Sequence, residues 1–266
     1  MLYLEQVYTV PSFCDGGRSP LPTIDNNISN AHSIYGYDPR EIPLYGLSQA
    51  ARYLKIPLKT LASWVRGRKY PIGKDGERAI FEPVIKRPDP NSPLLSFMNL
   101  IEGHVLCGMR RIENVPFYAV RKALRTLESE YPSAHPLADH EFYVHGIDLF
   151  IKRLDDYIPV SGRQWAIKEV LETYLRRIDR GLDKTAIRLY PFIKRDYSQN
   201  EPKFVSIDPL VSFGRPVIVG TGVPTDIIAE RFYAGDTWNV LAKDYDITPQ
   251  QVQQALRYEA PIRRAA

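Results

Sequence analysis

Apolar positions along this chain change their spacing several times, and each change marks an element. Ala50, Ala51, Tyr53 and Leu54 continue a helical face, with Ser48 expected as its N-cap. Lys55-Ile56-Pro57 breaks that helix, because proline lacks an N–H and turns the preceding residue away from helical geometry. A second helix is predicted from about Leu58 to Val65, with Leu58, Leu61, Ala62 and Val65 facing inward at i, i+3, i+4 and i+7. That leaves Lys59, Thr60, Ser63 and Arg66 on the outer side. Tyr70-Pro71-Ile72 and Arg78-Ala79-Ile80-Phe81 then flank Gly73-Lys74-Asp75-Gly76, which signals a hairpin.

Two short helices, a tight turn between them and a hairpin behind make a winged helix-turn-helix. Beyond a proline-rich connection, Arg87–Pro93, Ser96 is placed to cap a helix running to about Arg111. Phe117–Tyr131 predicts another. From Phe142 the period shortens. Phe142-Tyr143-Val144 and Leu149-Phe150-Ile151 flank His145-Gly146-Ile147-Asp148 and predict a second hairpin, with a further extended piece at Tyr157–Val160. A helix over about Arg163–Asp179 and a strand at Ala186–Tyr190 would complete a small α+β unit. Near the end, Val217-Ile218-Val219 reads as a β-ribbon, and Thr225 or Asp226 starts a helix that Gly235 stops. Thr237 caps the next. Thr248 caps a last one with Pro249 at its first position, seated by Val252, Ala255 and Leu256.

The expected fold class is therefore α+β and multidomain. It comprises an arm or linker over 1–43, a winged helix-turn-helix with helical extension over 44–135, a small α+β middle unit over 140–200, and a C-terminal trihelical helix-turn-helix-like domain with a short β-ribbon over 203–266. The first of these segments is rich in Gly, Pro, Ser, Asn and Asp between Cys14 and Asn30, and no chemistry is assigned to it.

Charge changes the picture at one place. Between Arg52 and Arg78 stand eight Lys/Arg and two acids, within a chain whose net charge is +4. A helix laid in the major groove needs short polar or basic side chains outward and flanking cations for phosphate. Lys59, Thr60, Ser63 and Arg66, with Arg68, Lys69, Lys74 and Arg78 from the wing, are the candidate DNA contacts; the alternative is a helical hairpin with a merely solvated basic face. Residues 202–266 carry seven Lys/Arg and seven Asp/Glu, so the second helix-turn-helix unit is neutral. Phosphate neutralisation supplies most non-specific affinity, so the N-terminal unit is the one expected on DNA. Arg110, Arg111, Arg121, Lys122 and Arg125 could also reach the backbone, but neighbouring glutamates offset them and a solvated face is the expected account.

The remaining composition mainly excludes. Two cysteines give no disulfide framework and suit a reducing, cytoplasmic setting. The first residues lack a cationic, apolar leader, and no run approaches a membrane span. There is no Walker motif, H-E-x-x-H or paired C-x-x-C, so no enzyme chemistry, metal or cofactor is expected. His104 and Cys107 stand one turn apart on an apolar helix and read as core; His135, His140 and His145 do not share a helical face.

Two resemblances add to this. The helix pair after the winged motif resembles MerR-type regulators. The C-terminal stretch carries Ile207-Asp208-Pro209, Gly214-Arg215-Pro216-Val217-Ile218, Gly220-Thr221-Gly222-Val223-Pro224, Ala234-Gly235-Asp236 and Ala242-Lys243-Asp244-Tyr245, closing with Thr248–Val252. It resembles the bacterial domain family classed with VapB-type antitoxins, and the whole chain from about Leu44 looks like its long members. That resemblance implies a DNA-binding antitoxin of a type II pair that represses its own operon as a homodimer and neutralises a PIN-like ribonuclease toxin by contact. Antitoxins of this kind plug an acidic metal site, so Arg257, Arg263 and Arg264 are the candidate toxin-binding residues, with Cys14–Asn30 as the other candidate segment. The runner-up is a MerR-like transcriptional regulator that answers a small-molecule effector through its middle part.

Overall fold

The computed structural model describes residues 38–72, 77–193 and 201–261, with the backbone alone for 70–72 and 77–80. Helices α1 (Leu47–Tyr53) and α2 (Leu58–Arg66) lead into an antiparallel hairpin of β1 (Arg68–Ile72) and β2 (Glu77–Phe81). The expected winged helix-turn-helix order is therefore present. Ser48 is not the N-cap of α1: Gly46 holds that position, without a side-chain bond. Nor does Leu58 face inward. It is 46% exposed at the first position of α2, and Trp64, buried against Phe117, takes its place beside Leu61 and Val65.

Helix α3 (Phe97–Arg110) is the centre of the molecule. Ser96 caps it as expected, in a reciprocal box with Asn99. Every residue from Phe97 to Met109 is buried, so the helix has no solvent face before its last residue. Gly103 lets the helix-turn-helix come close, because a Cβ there would lie 2.7 Å from Leu54 Cδ1. Helix α4 (Phe117–Glu130) follows, and one continuous core runs from Tyr45 through to Ile207.

The middle segment departs from expectation. The predicted hairpin over Phe142–Ile151 is a π-helical turn, Phe142–Gly146, running directly into helix α5 (Ile147–Asp155). Phe142, Gly146, Ile147, Phe150, Ile151 and Leu154 are buried at a helical spacing that the two aromatic and β-branched triplets conceal. Tyr157–Val160 is not a strand. Helix α6 (Gln164–Leu175) stops earlier than predicted, and β3 (Ile178–Arg180) pairs antiparallel with β4 (Ala186–Leu189). The middle segment is thus mainly helical and shares its core with the N-terminal helices.

Strand β5 (Val205–Ser206) pairs antiparallel with β6 (Val217–Ile218), and three helices close the chain: α7 (Thr225–Tyr233), α8 (Trp238–Asp244) and α9 (Pro249–Glu259). Thr237 and Thr248 cap α8 and α9 as predicted, the latter in a box with Gln251. Ile218, Ile228, Leu241 and Val252 form the core of this bundle.

Polar groups inside the main core must be paired, since an unpaired buried charge is costly. Glu102 on α3 lies beside His135, whose Nδ1 is 3.1 Å from the Glu102 carboxylate and whose Nε2 is 2.9 Å from that of Glu41. Burial opposes charge on His135, but the hydrogen bonds to Glu102 and Glu41 outweigh it, and its pKa is pushed up to about 10. The imidazole is therefore held protonated between two carboxylates. A raised histidine pKa contributes stability that is full below the unfolded value of 6.5 and fades as pH climbs towards 10. His135→Gln should lower stability by about 3 kcal/mol near pH 6. The difference from wild type, read by chemical denaturation across pH, should shrink steadily between pH 6.5 and 10.

Candidate nucleic-acid interface

Helix α2 is short and rides on a deeply buried inner face, so its outer residues are presented at a fixed height. Lys59 and Arg66 are exposed there, and Thr60 and Ser63 are partly so. Positions 59, 63 and 66 fall at i, i+4 and i+7, on one face. Ser63 Oγ donates back to the Thr60 carbonyl at 2.8 Å. Arg110, from the end of α3, donates to Thr60 Oγ1 at 2.6 Å and so joins this surface from outside the motif.

The junction with the wing is tight. Gly67 has φ +75, and a Cβ there would collide with the Phe81 carbonyl oxygen. Only glycine tolerates both conditions, so the chain leaves α2 at Arg66 and enters β1 at Arg68 through this one residue. Arg68 and Lys69 are exposed at the start of β1, opposite Phe81 and Ile80. Arg78 lies on β2 opposite Pro71, with its side chain outside the described atoms, and Lys74 lies outside the described residues.

Arg121 fixes the wing to the helix, and its role was not read from the sequence. Its guanidinium donates to the Ser63 carbonyl at 3.0 Å and to the Glu82 carbonyl at 2.5 Å, and it lies over the Phe117 and Phe81 rings. Burial lowers its pKa, with a smaller push from Arg125, yet an arginine stays charged. The expectation of a solvated face fails here, since Arg121 is 7% exposed. Arg125 pairs with Glu82 at 2.8 Å. A helical spacing of Ala119, Val120, Ala123 and Leu124, interrupted by an arginine on the same side, was the signal available.

Two cations of the basic run are turned to another purpose. Lys55, in the turn with φ +56, donates to the Tyr258 carbonyl and stands 4.1 Å above that ring. Burial, partly offset by Glu259, lowers its pKa to about 8. Tyr258 OH donates to the Tyr53 carbonyl at 3.0 Å, and Arg52 lies 4.0 Å from Glu259. The end of α9 is thereby seated on the helix-turn-helix. Arg257 is exposed on α9, while Arg263 and Arg264 lie outside the described residues. His104 is buried, its Nε2 3.0 Å from the Tyr174 carbonyl; burial drives its pKa down to about 3, and Cys107 beside it is pushed up to about 12. Both are core groups.

Residues 43–124 match the family model described as "Putative DNA-binding HTH domain", which covers α1, α2, the wing, α3 and half of α4. Residues 205–258 match the model described as "Protein of unknown function (DUF433)". A Mycobacterium tuberculosis protein named "Putative antitoxin VapB45" is 31% identical over 236 residues, spanning 81% of this chain and 93% of that one. The chain belongs to that protein's family. A second protein of the same organism, "Uncharacterized protein Rv2308", is 24% identical over 233 residues, spanning 85% of this chain and 93% of the other. The crystal structure of Rv2018, also from Mycobacterium tuberculosis, shares the fold at a TM-score of 0.57 and 26% identity, over 81% of this chain and 98% of its own.

Arg121→Met keeps the aliphatic stem and removes both carbonyl bonds. It should cost about 2 kcal/mol, because two main-chain acceptors lose a charged donor. Amide exchange should accelerate at Ser63–Arg68 and in β2 while α7–α9 keep wild-type protection; unchanged exchange at the wing would remove Arg121 from this role.

Proposed function

We propose that this protein is the DNA-binding antitoxin of a type II toxin–antitoxin pair. It represses its own operon and neutralises a PIN-like ribonuclease by protein contact. The observation that carries the DNA half is a basic outer face on α2, Lys59 and Arg66, continued across Gly67 by Arg68 and Lys69. Thr60 and Ser63 lie between the cations and are short enough to meet base edges, while the flanking charges meet phosphate. Arg78 stands on the second strand of the wing, and Lys74 belongs to the same basic stretch of the sequence. The match to a DNA-binding helix-turn-helix model and the kinship to a protein named as an antitoxin support the same reading. Such a repressor works in the cytoplasm on a two-fold operator, which suits a homodimer.

The C-terminal domain takes the protein contacts in this scheme. Its net charge is near zero, and its α7–α8 corner exposes Tyr233 at 70% together with Trp238 and Val240. Exposed aromatics on one corner favour a protein partner over a phosphate backbone. Arg257, Arg263 and Arg264 supply the cationic tail that an acidic ribonuclease cleft would accept.

Two experiments test the halves separately. Lys69→Glu with Lys74→Glu should abolish the gel shift on the gene's own promoter with thermal unfolding nearly unchanged. Single charge removals should each flatten the slope of log K against log salt by about one. An unaltered shift from the double variant would reject the interface. Deleting residues 261–266 should weaken inhibition of the cognate toxin in a ribonuclease assay while DNA binding persists. Full inhibition by the shortened chain would transfer the contact from the tail to the Tyr233–Trp238 corner.

A further inference from the structure

A cavity of about 400 Å³ opens beside the carboxyl half of α4, against the π-helical turn and the start of α5. Leu127, Tyr131, Phe142 and Leu149 supply its apolar wall, and Asp139, Glu141 and His145 its polar groups. No Lys or Arg among the described residues lines it. This volume falls in the range of small-ligand sites, which combine apolar walls with few polar groups. Tyr131, which lines the cavity, is 62% exposed, so the space is open to solvent on that side. A π-turn inserts one extra residue into a helix and is frequent at binding sites; here it precedes α5 at the cavity itself.

We infer that this cavity binds a compact apolar molecule carrying an amine, and that occupancy is felt at the DNA-binding face through α4. Two carboxylates among lining residues that include no arginine or lysine favour a cation over an anion, while Arg180, which donates to the Asp139 carbonyl at 3.3 Å, stands outside the lining. The apolar wall sets the rest: an aromatic or branched hydrocarbon body that fills the space without polar atoms to satisfy. Leu127 and the recognition helix are joined by one rigid rod. Phe117, at the head of α4, stacks on Trp64 of α2 at 5.6 Å between ring centres, and Arg121, one turn on, holds the Ser63 and Glu82 carbonyls. Leu127 is ten residues beyond Phe117, about 15 Å along the helix. A ligand wedged between Leu127 and Phe142 that tilts α4 must therefore move the clamp between α2 and the wing. Coupling of this sort is a difference in ligand affinity between two positions of α4, and it acts equally in both directions.

The binding step is independent of the antitoxin reading; only the coupling rests on α2 and the wing meeting DNA. The probes are 4-phenylbutylamine and 4-phenylbutyrate, which share a body and differ in the sign of charge. Titration calorimetry on the full chain without DNA should show the amine binding in the submillimolar range and the carboxylate at least tenfold more weakly. Leu149→Trp fills the cavity and should abolish amine binding. Should that variant fold poorly, Asp139→Asn with Glu141→Gln, both near the opening, should erase the preference for the amine. With promoter DNA, saturating amine should change the dissociation constant at least threefold in wild type and not in Leu149→Trp. Absence of amine binding up to 5 mM, equal binding of the two probes, or undiminished binding to the filled variant would overturn the site. Amine binding with an unmoved DNA dissociation constant would overturn the coupling through α4 and keep the site.

Discussion

A helix with no solvent face organises this protein. Helix α3 is buried from Phe97 to Met109, so partners must surround it. The helix-turn-helix approaches at Gly103, α6 packs its Tyr174 against His104, and Glu102 faces His135. Complete burial also dictates the chemistry of its titratable groups, Glu102, His104 and Cys107. Glu102 is held by Asn99 and by a protonated His135, while His104 stays neutral against a carbonyl. Neither is spare for catalysis.

That arrangement converts a marginal motif into a rigid one. Helices of seven and nine residues are too short to persist alone. Here α1 and α2 are seated on α3, the wing is tied to α2 by Arg121, and Tyr258 of α9 locks the turn through Tyr53 and Lys55. The cations of the head therefore divide into two groups. Lys55 and, from α4, Arg121 hold its parts together, whereas Lys59, Arg66, Arg68 and Lys69 remain exposed on it. Charge counting along the chain does not make this division, because it cannot tell a buried guanidinium from a solvated one.

Legibility in the sequence followed the strength of local signals. Proline and glycine punctuation, N-cap residues and long 3.6-residue patterns locate α1 to α4 and α7 to α9. Phe142-Tyr143-Val144 misled, because three aromatic and β-branched residues in a row favour a strand locally, while the helix here is set by packing against α4 and α6. Trp64 does not stand out when the face of α2 is counted from Leu58, which is its exposed first residue. Arg121 and Tyr258 were not legible at all: their meaning depends on carbonyls 58 and 205 residues away in the chain. The candidate contacts on α2 and β1 were read from spacing and charge, and the structure shows Lys59, Arg66, Arg68 and Lys69 as exposed.

The account stands on α2 and the wing, rather than α8 and α9, meeting DNA. The most direct measurement places a photocrosslinking residue at Ser63 in one variant and at Gln254 in another, then irradiates each with promoter DNA. Strong crosslinking from position 63 and none above background from position 254 is the predicted result. Crosslinking from position 254 with none from position 63 would contradict the account and move the DNA to the C-terminal bundle.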